Sequence, residues 1–142
     1  MTDKSKPEAG SIVWADLTIE NAEKIRDFYS QVVGWQFSPV SIGDYKDYNM
    51  NSPESGNTRA GICHGRGVNA NLPPYWLIYI TVKDVESSAK KCREQGGKIL
   101  VEPKKMGDYG RYCVIRDPAG AIATLYTPSE QRINLFPLKI KR

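Results

Sequence analysis

The chain carries one pattern twice. The first copy reads Leu17-Thr18-Ile19-Glu20-Asn21-Ala22-Glu23 and closes at Gly34; the second reads Ile80-Thr81-Val82-Lys83-Asp84-Val85-Glu86 and closes at Gly97. Thr18 and Thr81 anchor the copies, so the period is 81 − 18 = 63 residues. Each copy has a β run, an Asn or Asp suited to cap a helix, a helical stretch, a Gly stop and more β. Self-similarity at a fixed period constrains a fold more than any single motif does. Two such units predict one domain built by duplication, with a cavity lined from both.

The chain has 142 residues. That length suits a single domain burying about two-thirds of its unfolded surface. No apolar run approaches the ~20 residues of a membrane span. The start, Met1-Thr2-Asp3-Lys4, has no apolar h-region, so no secretory signal is expected. The net charge is +4, and the segment after Pro128 holds +3 of it: Arg132, Lys139, Lys141 and Arg142 against Glu130. The body is therefore close to neutral. A nucleic-acid binder would carry a basic face there, so the expectation is no nucleic acid and no membrane partner. Cys63, Cys92 and Cys113 are an odd set without Cys-x-x-Cys spacing. They argue for a reduced, cytoplasmic protein, not a disulfide or zinc framework.

Residues 1–10 read as a flexible start. Strands are expected over Ser11–Thr18, Trp35–Val40, Tyr45–Met50, Arg59–His64, Tyr75–Val82, Lys98–Val101, Tyr112–Arg116 and Ala121–Thr127. Tyr75–Val82 is nearly all apolar and predicts a strand buried on both faces. Asn21 and Asp84 are positioned as N-caps of helices running to Val33 and Gln95. Ala22, Ile25, Phe28, Tyr29, Val32 and Val33 form one apolar stripe at helical spacing. Asp117-Pro118-Ala119-Gly120 has type I turn chemistry and predicts a hairpin. The fold class is thus α+β, two βαβββ modules, at about 11–66 and 75–128, joined by a Gly/Asn/Pro-rich linker. The tail from 129 to 142 keeps Ile133, Leu135, Phe136, Leu138 and Ile140, which are expected to dock in a groove or in a homodimer interface.

Taken in order, Trp14-Ala15-Asp16-Leu17, Phe28-Tyr29 with Gly34-Trp35, the Tyr75–Ile80 strand with Asp84-Val85, Gly96-Gly97, and Gly110-Arg111 ahead of Asp117-Pro118-Ala119-Gly120 resemble the vicinal oxygen chelate superfamily. That superfamily includes glyoxalase I, bleomycin-resistance proteins and extradiol dioxygenases. The resemblance covers residues 11–128 and implies curved mixed sheets around a cavity. It also implies frequent pairing, hence a homodimer. In metal-using members each module supplies two ligands, from its first and last strands. Alignment on Phe28-Tyr29 puts the first position at Trp14, and the repeat puts its partner at Leu77. The Asp-Pro-Ala-Gly turn puts the last-strand position at Thr124, with a counterpart within Ala60–Ile62. Trp and Leu are not metal ligands, and a Thr hydroxyl is a poor one. No metal and no other cofactor is therefore expected.

Asp16 and Tyr79 lie two residues beyond Trp14 and Leu77, on the same strand faces. Asp16 reads either as a carboxylate for a ligand hydroxyl or amine, or as a buried Asp bonded to backbone or Arg. Arg111 reads as an anion clamp or as a structural partner of Asp117 or Glu102. His64, the only histidine, reads as a hydrogen-bonded residue without chemistry or as a general base at the cavity rim. Tyr126 belongs to an aromatic-rich interior suited to flat or apolar ligands. The candidate ligand-binding set is Trp14, Asp16, Leu77, Tyr79, Arg111, Thr124 and Tyr126. The leading expectation is a protein that binds a small aromatic or apolar molecule in a metal-free cavity. The alternative is an enzyme of the same superfamily, of lyase, isomerase or dioxygenase type.

Overall fold

The computed structural model describes residues 7–129. The apolar tail residues singled out above lie outside that range. Module one comprises β1 (Ile12–Ile19), α1 (Ala22–Val33), β2 (Gln36–Ile42), β3 (Tyr45–Asn51) and β4 (Thr58–His64). Its strand order is β2-β3-β4-β1, with β1 parallel to β4 and the other pairs antiparallel. Module two comprises β5 (Trp76–Thr81), α2 (Val85–Glu94), β6 (Lys98–Lys105), β7 (Gly110–Arg116) and β8 (Ile122–Pro128). Its order is β5-β8-β7-β6, with β5 parallel to β8. Both are βαβββ, as the repeat requires, and the class is α+β.

The chain groups into two compact units. One is residues 14–76. The other is residues 77–129 with residues 7–13. Gly10 and Ser11 are bonded in place: Gly10 N–H donates to the Thr81 carbonyl at 2.7 Å, and Thr81 N–H donates to the Ser11 carbonyl at 2.8 Å.

The helices end and begin for local reasons. Gly34 takes φ 88°, and its N–H closes on the Ser30 carbonyl, which stops α1. Asp84 sits in extended backbone and accepts from Glu86 N–H at 3.1 Å, a working N-cap. Its repeat mate differs from expectation. Asn21 sits at φ −116°, ψ 70°, and its side chain makes no cap bond.

In module one Ala22, Tyr48, Met50 and Ile62 form a buried cluster against which Ile19, Tyr29, Trp35 and Trp76 pack. Trp76 Nε1–H donates to Tyr29 Oη at 3.0 Å. In module two Val85, Ala89, Cys113 and Leu125 do the same work. Burial drives the Cys113 thiol up to about 12, so it behaves as an apolar side chain.

Two apolar expectations need correction. The α1 stripe is not uniformly buried: Phe28 is 53% and Val32 64% exposed, because the helix turns only its Ala22–Ile25–Tyr29 side inward. Strand β5 is not buried on both faces. Leu77, Tyr79 and Thr81 are buried, whereas Ile78 and the preceding Tyr75 are exposed, the alternation of a half-buried strand.

Candidate functional site

The parallel pairs fix the register that the sequence left open. Asp16 lies opposite Gly61 in β1–β4, and Tyr79 lies opposite Thr124 in β5–β8. Both steps obey the repeat, since 16 + 63 = 79 and 61 + 63 = 124. The counterpart of Thr124 is therefore Gly61. The equivalent positions of the two modules are Trp14 with Gly61, and Leu77 with Thr124.

In module one these positions lie on the sheet face opposite the helix cluster. Register carries a row across four strands: Asp16, Gly61, Asn49 and Ser38. Asp16 is 1% exposed, and Asn49 and Trp14 are also buried. A Cβ added at Gly61 would meet the Trp14 ring and the Asp16 Cβ, each at 3.2 Å. The indole of Trp14 thus leans from β1 over the bare Cα of Gly61 and occupies the space a side chain at 61 would need. This face is polar at its centre, with one carboxylate and one amide, and aromatic at one end.

Module two presents a different face. The equivalent row runs Tyr79, Thr124, Val114 and Val101. Leu77 and Tyr126 are also buried. The Tyr126 hydroxyl donates to the Tyr109 carbonyl at 2.6 Å, and burial raises its phenol above the ordinary tyrosine range. That proton is committed to structure, so Tyr126 offers a ligand its ring and not a donor. The duplication has left one polar face and one mostly apolar face.

Trp14, Gly61, Leu77 and Thr124 do not fit a metal centre: they hold no imidazole, carboxylate or thiolate. Among the described residues no group of three or more His, Cys, Asp or Glu is placed to hold an ion.

The remaining candidates have structural partners. Arg111 Nε donates to Glu86 at 2.7 Å, and its Nη2 reaches the Pro103 carbonyl at 3.4 Å. Its acidic partner is neither Asp117 nor Glu102; Glu102 is engaged by Arg93. Asp117 accepts from the N–H groups of Ala119 and Ala121, which makes it the turn residue expected. His64 Nε2 lies 2.9 Å from Glu23 of α1, and its backbone N–H donates to Asp47. The hydrogen bond to His64 holds the Glu23 carboxyl below its ordinary 4.5. A carboxyl depressed in the folded state stabilises fully above its unfolded value and loses that contribution as pH falls through the folded value. The stability gap between wild type and Glu23→Gln is therefore expected at neutral pH and should close below pH 4.5. Denaturant melts across pH 3–7 test it; a gap unchanged at pH 3 would be inconsistent with that linkage.

Three open clefts are described, of about 280, 300 and 460 Å³. Arg111 lines the second; Trp14, Asp16, Leu77, Tyr79, Thr124 and Tyr126 line none of them. Sequence reasoning bracketed Gly61 within Ala60–Ile62 without fixing it, and missed Asn49. Gly61 was within reach, because subtracting the period from Thr124 gives it directly. Asn49 carried no signal before the register of β3 on β4 was known.

The sequence model of the Glyoxalase/Bleomycin resistance protein/Dioxygenase superfamily matches residues 11–123, so the chain belongs to that superfamily. Among curated proteins it is similar to "Putative glyoxylase CFP32" of Mycobacterium tuberculosis, 29% identical over 125 residues, covering 88% of this chain and 47% of that protein. It is also similar to the anthracycline biosynthesis protein DnrV of Streptomyces peucetius, 27% identical over 123 residues, covering 79% of this chain and 45% of that protein. The chain spans about half the length of these relatives. Among solved structures, methylmalonyl-CoA epimerase from Mycobacterium tuberculosis aligns with a TM-score of 0.53 at 17% identity, covering 91% of this chain and 97% of that one. At that identity the likeness shows the fold alone.

Proposed function

We propose that this chain binds a small aromatic or apolar molecule without a metal, using the helix-free strand faces that carry Trp14 and Asp16 in module one and Leu77, Tyr79, Thr124 and Tyr126 in module two. One observation carries the reading: the register-equivalent positions are Trp14, Gly61, Leu77 and Thr124, and the space beside Gly61 is filled by the Trp14 ring. Flat ligands gain from burial and offset stacking on aromatic rings, about 0.5–1.5 kcal/mol per aromatic pair beyond area. Asp16 and Asn49 supply the few polar groups that orient such a ligand. A homodimer in a reducing cytoplasm is the assembly proposed with it; the three free cysteines support the compartment.

The buried Asp16 carboxylate favours a second reading, a metal-independent enzyme in which it takes a proton from bound substrate. The experiment is native mass spectrometry of the purified chain with elemental analysis of the same sample. A co-purifying organic ligand without stoichiometric metal supports the proposal. A stoichiometric transition metal overturns it. Loss of turnover with retained binding in Asp16→Asn would move the assignment to the enzyme.

A further inference from the structure

Two of the three clefts are repeats of each other. One opens at the carboxyl ends of the parallel strands β1 and β4, and Thr18, Ile19, Glu20 and Gly65 form part of its wall. The other opens at the carboxyl ends of β5 and β8, where Thr81, Val82, Lys83 and Pro128 hold the same places. Each pair differs by 63: 18 and 81, 19 and 82, 20 and 83, 65 and 128. The duplication kept the cleft and inverted its charge, a carboxylate in module one and an ammonium in module two.

The module-two cleft has a second mark. Thr81 is buried, and its hydroxyl has no hydrogen-bond partner among the described residues. Its backbone is already committed, N–H to Ser11 and carbonyl to Gly10. An unsatisfied buried hydroxyl is costly, so such groups normally find a partner. Lys83 lies two residues on, in the bend that follows β5, and lines the same cleft. It makes no ion pair among the described residues. The other hydroxyl at the cleft, on Thr127, already donates to the Val82 carbonyl at 3.0 Å. Val82 N–H is taken by the Tyr126 carbonyl. The side-chain donors left are one ammonium and one hydroxyl, against walls of Pro7, Ala9 and Pro128.

We propose that this cleft is a binding site for a small organic carboxylate, its oxygens held by Lys83 and the Thr81 hydroxyl and its short apolar body on the proline and alanine wall. A phosphate has no apolar body to set on that wall and is disfavoured. The cleft shares no residue with the Trp14 and Asp16 face, so either assignment can fail alone.

The test is an amide NMR titration of the full chain with butyrate, butyramide and butylamine. Butyrate is expected to shift Val82, Lys83 and Thr127 with a Kd of about 1 mM, fitting a site open on one side. Butyramide should shift them at least tenfold more weakly, roughly the loss of one charge-assisted contact. Lys83→Glu should abolish the butyrate response; the residue is exposed, so the fold is retained. Thr81→Val should weaken butyrate several-fold. Because it removes an unpartnered hydroxyl, it should not lower the melting temperature. Butylamine should instead shift Ile19, Glu20 and Gly65. The proposal is overturned if butyrate moves none of the module-two amides, or if Lys83→Glu titrates like wild type.

Discussion

Gly110→Ala should lower the unfolding free energy by about 4 kcal/mol and the Tm by roughly 10 °C. Gly110 opens β7 opposite Pro128 at φ 140°, a conformation that side chains rarely adopt. A Cβ there would overlap the Thr127 carbonyl oxygen and stand 2.9 Å from the Ser129 nitrogen. All the obstructing atoms are backbone, so no rotamer change relieves them. The clash would separate β7 from β8 at the end where Ser129 N–H bonds the Tyr109 carbonyl. Gly120 is the control. It also has positive φ, but a Cβ there meets nothing within 4 Å. Gly120→Ala should therefore cost only conformational strain, about 1 kcal/mol. Denaturant melts of both variants decide the matter, and equal losses would remove the steric argument.

The second large effect is expected where Trp14 covers Gly61. Trp14→Ala should cost about 3–5 kcal/mol, through lost burial and the cavity left over β4. Gly61→Leu should cost about 3 kcal/mol, because its side chain must displace the indole or the Asp16 side chain. The double variant is the informative one. With the indole gone, the leucine fills the vacated volume, and the two losses should fall short of their sum by about 2 kcal/mol. Additive losses would mean the two positions do not share space. The cycle also bears on the metal-free reading, since a ligand at 61 would require Trp14 to be replaced first.

The repeat made the fold legible because it appears in residue types that bend or cap a chain. Gly34 and Asp84 mark the same joints in space that they mark in the sequence, whereas after α2 the positive φ falls on Gly96, one residue before the repeat mate of Gly34. The period also reached the site. It tied Leu77 to Trp14 and Tyr79 to Asp16 without any coordinates. What it did not supply was exposure. Phe28 and Val32 recur at helical spacing whether or not anything covers them, and periodicity reports only that a stripe exists. Charge partners were equally hidden. Arg111 had Asp117 and Glu102 nearby in sequence, yet Glu86, 25 residues away, takes it. Such a pairing depends on α2 crossing the sheet at a particular place. The cap at Asn21 failed for a related reason: residue type permits a cap, and only backbone angles aim it.

The bonds from Gly10 and Ser11 to Thr81 have a consequence for taking the chain apart. A cut in the linker near Gly65–Pro74 looks like the natural boundary between the two halves. A fragment beginning at Leu77 would nevertheless leave the amide and the carbonyl of Thr81 bare, because the segment that satisfies them belongs to the opening of the polypeptide. The later half is thus completed by the earliest residues. A self-sufficient version of it would need that short opening segment fused ahead of Leu77 or returned as a separate peptide. A circularly permuted chain that joins residue 129 to residue 7 by a linker would keep those bonds while moving the ends elsewhere.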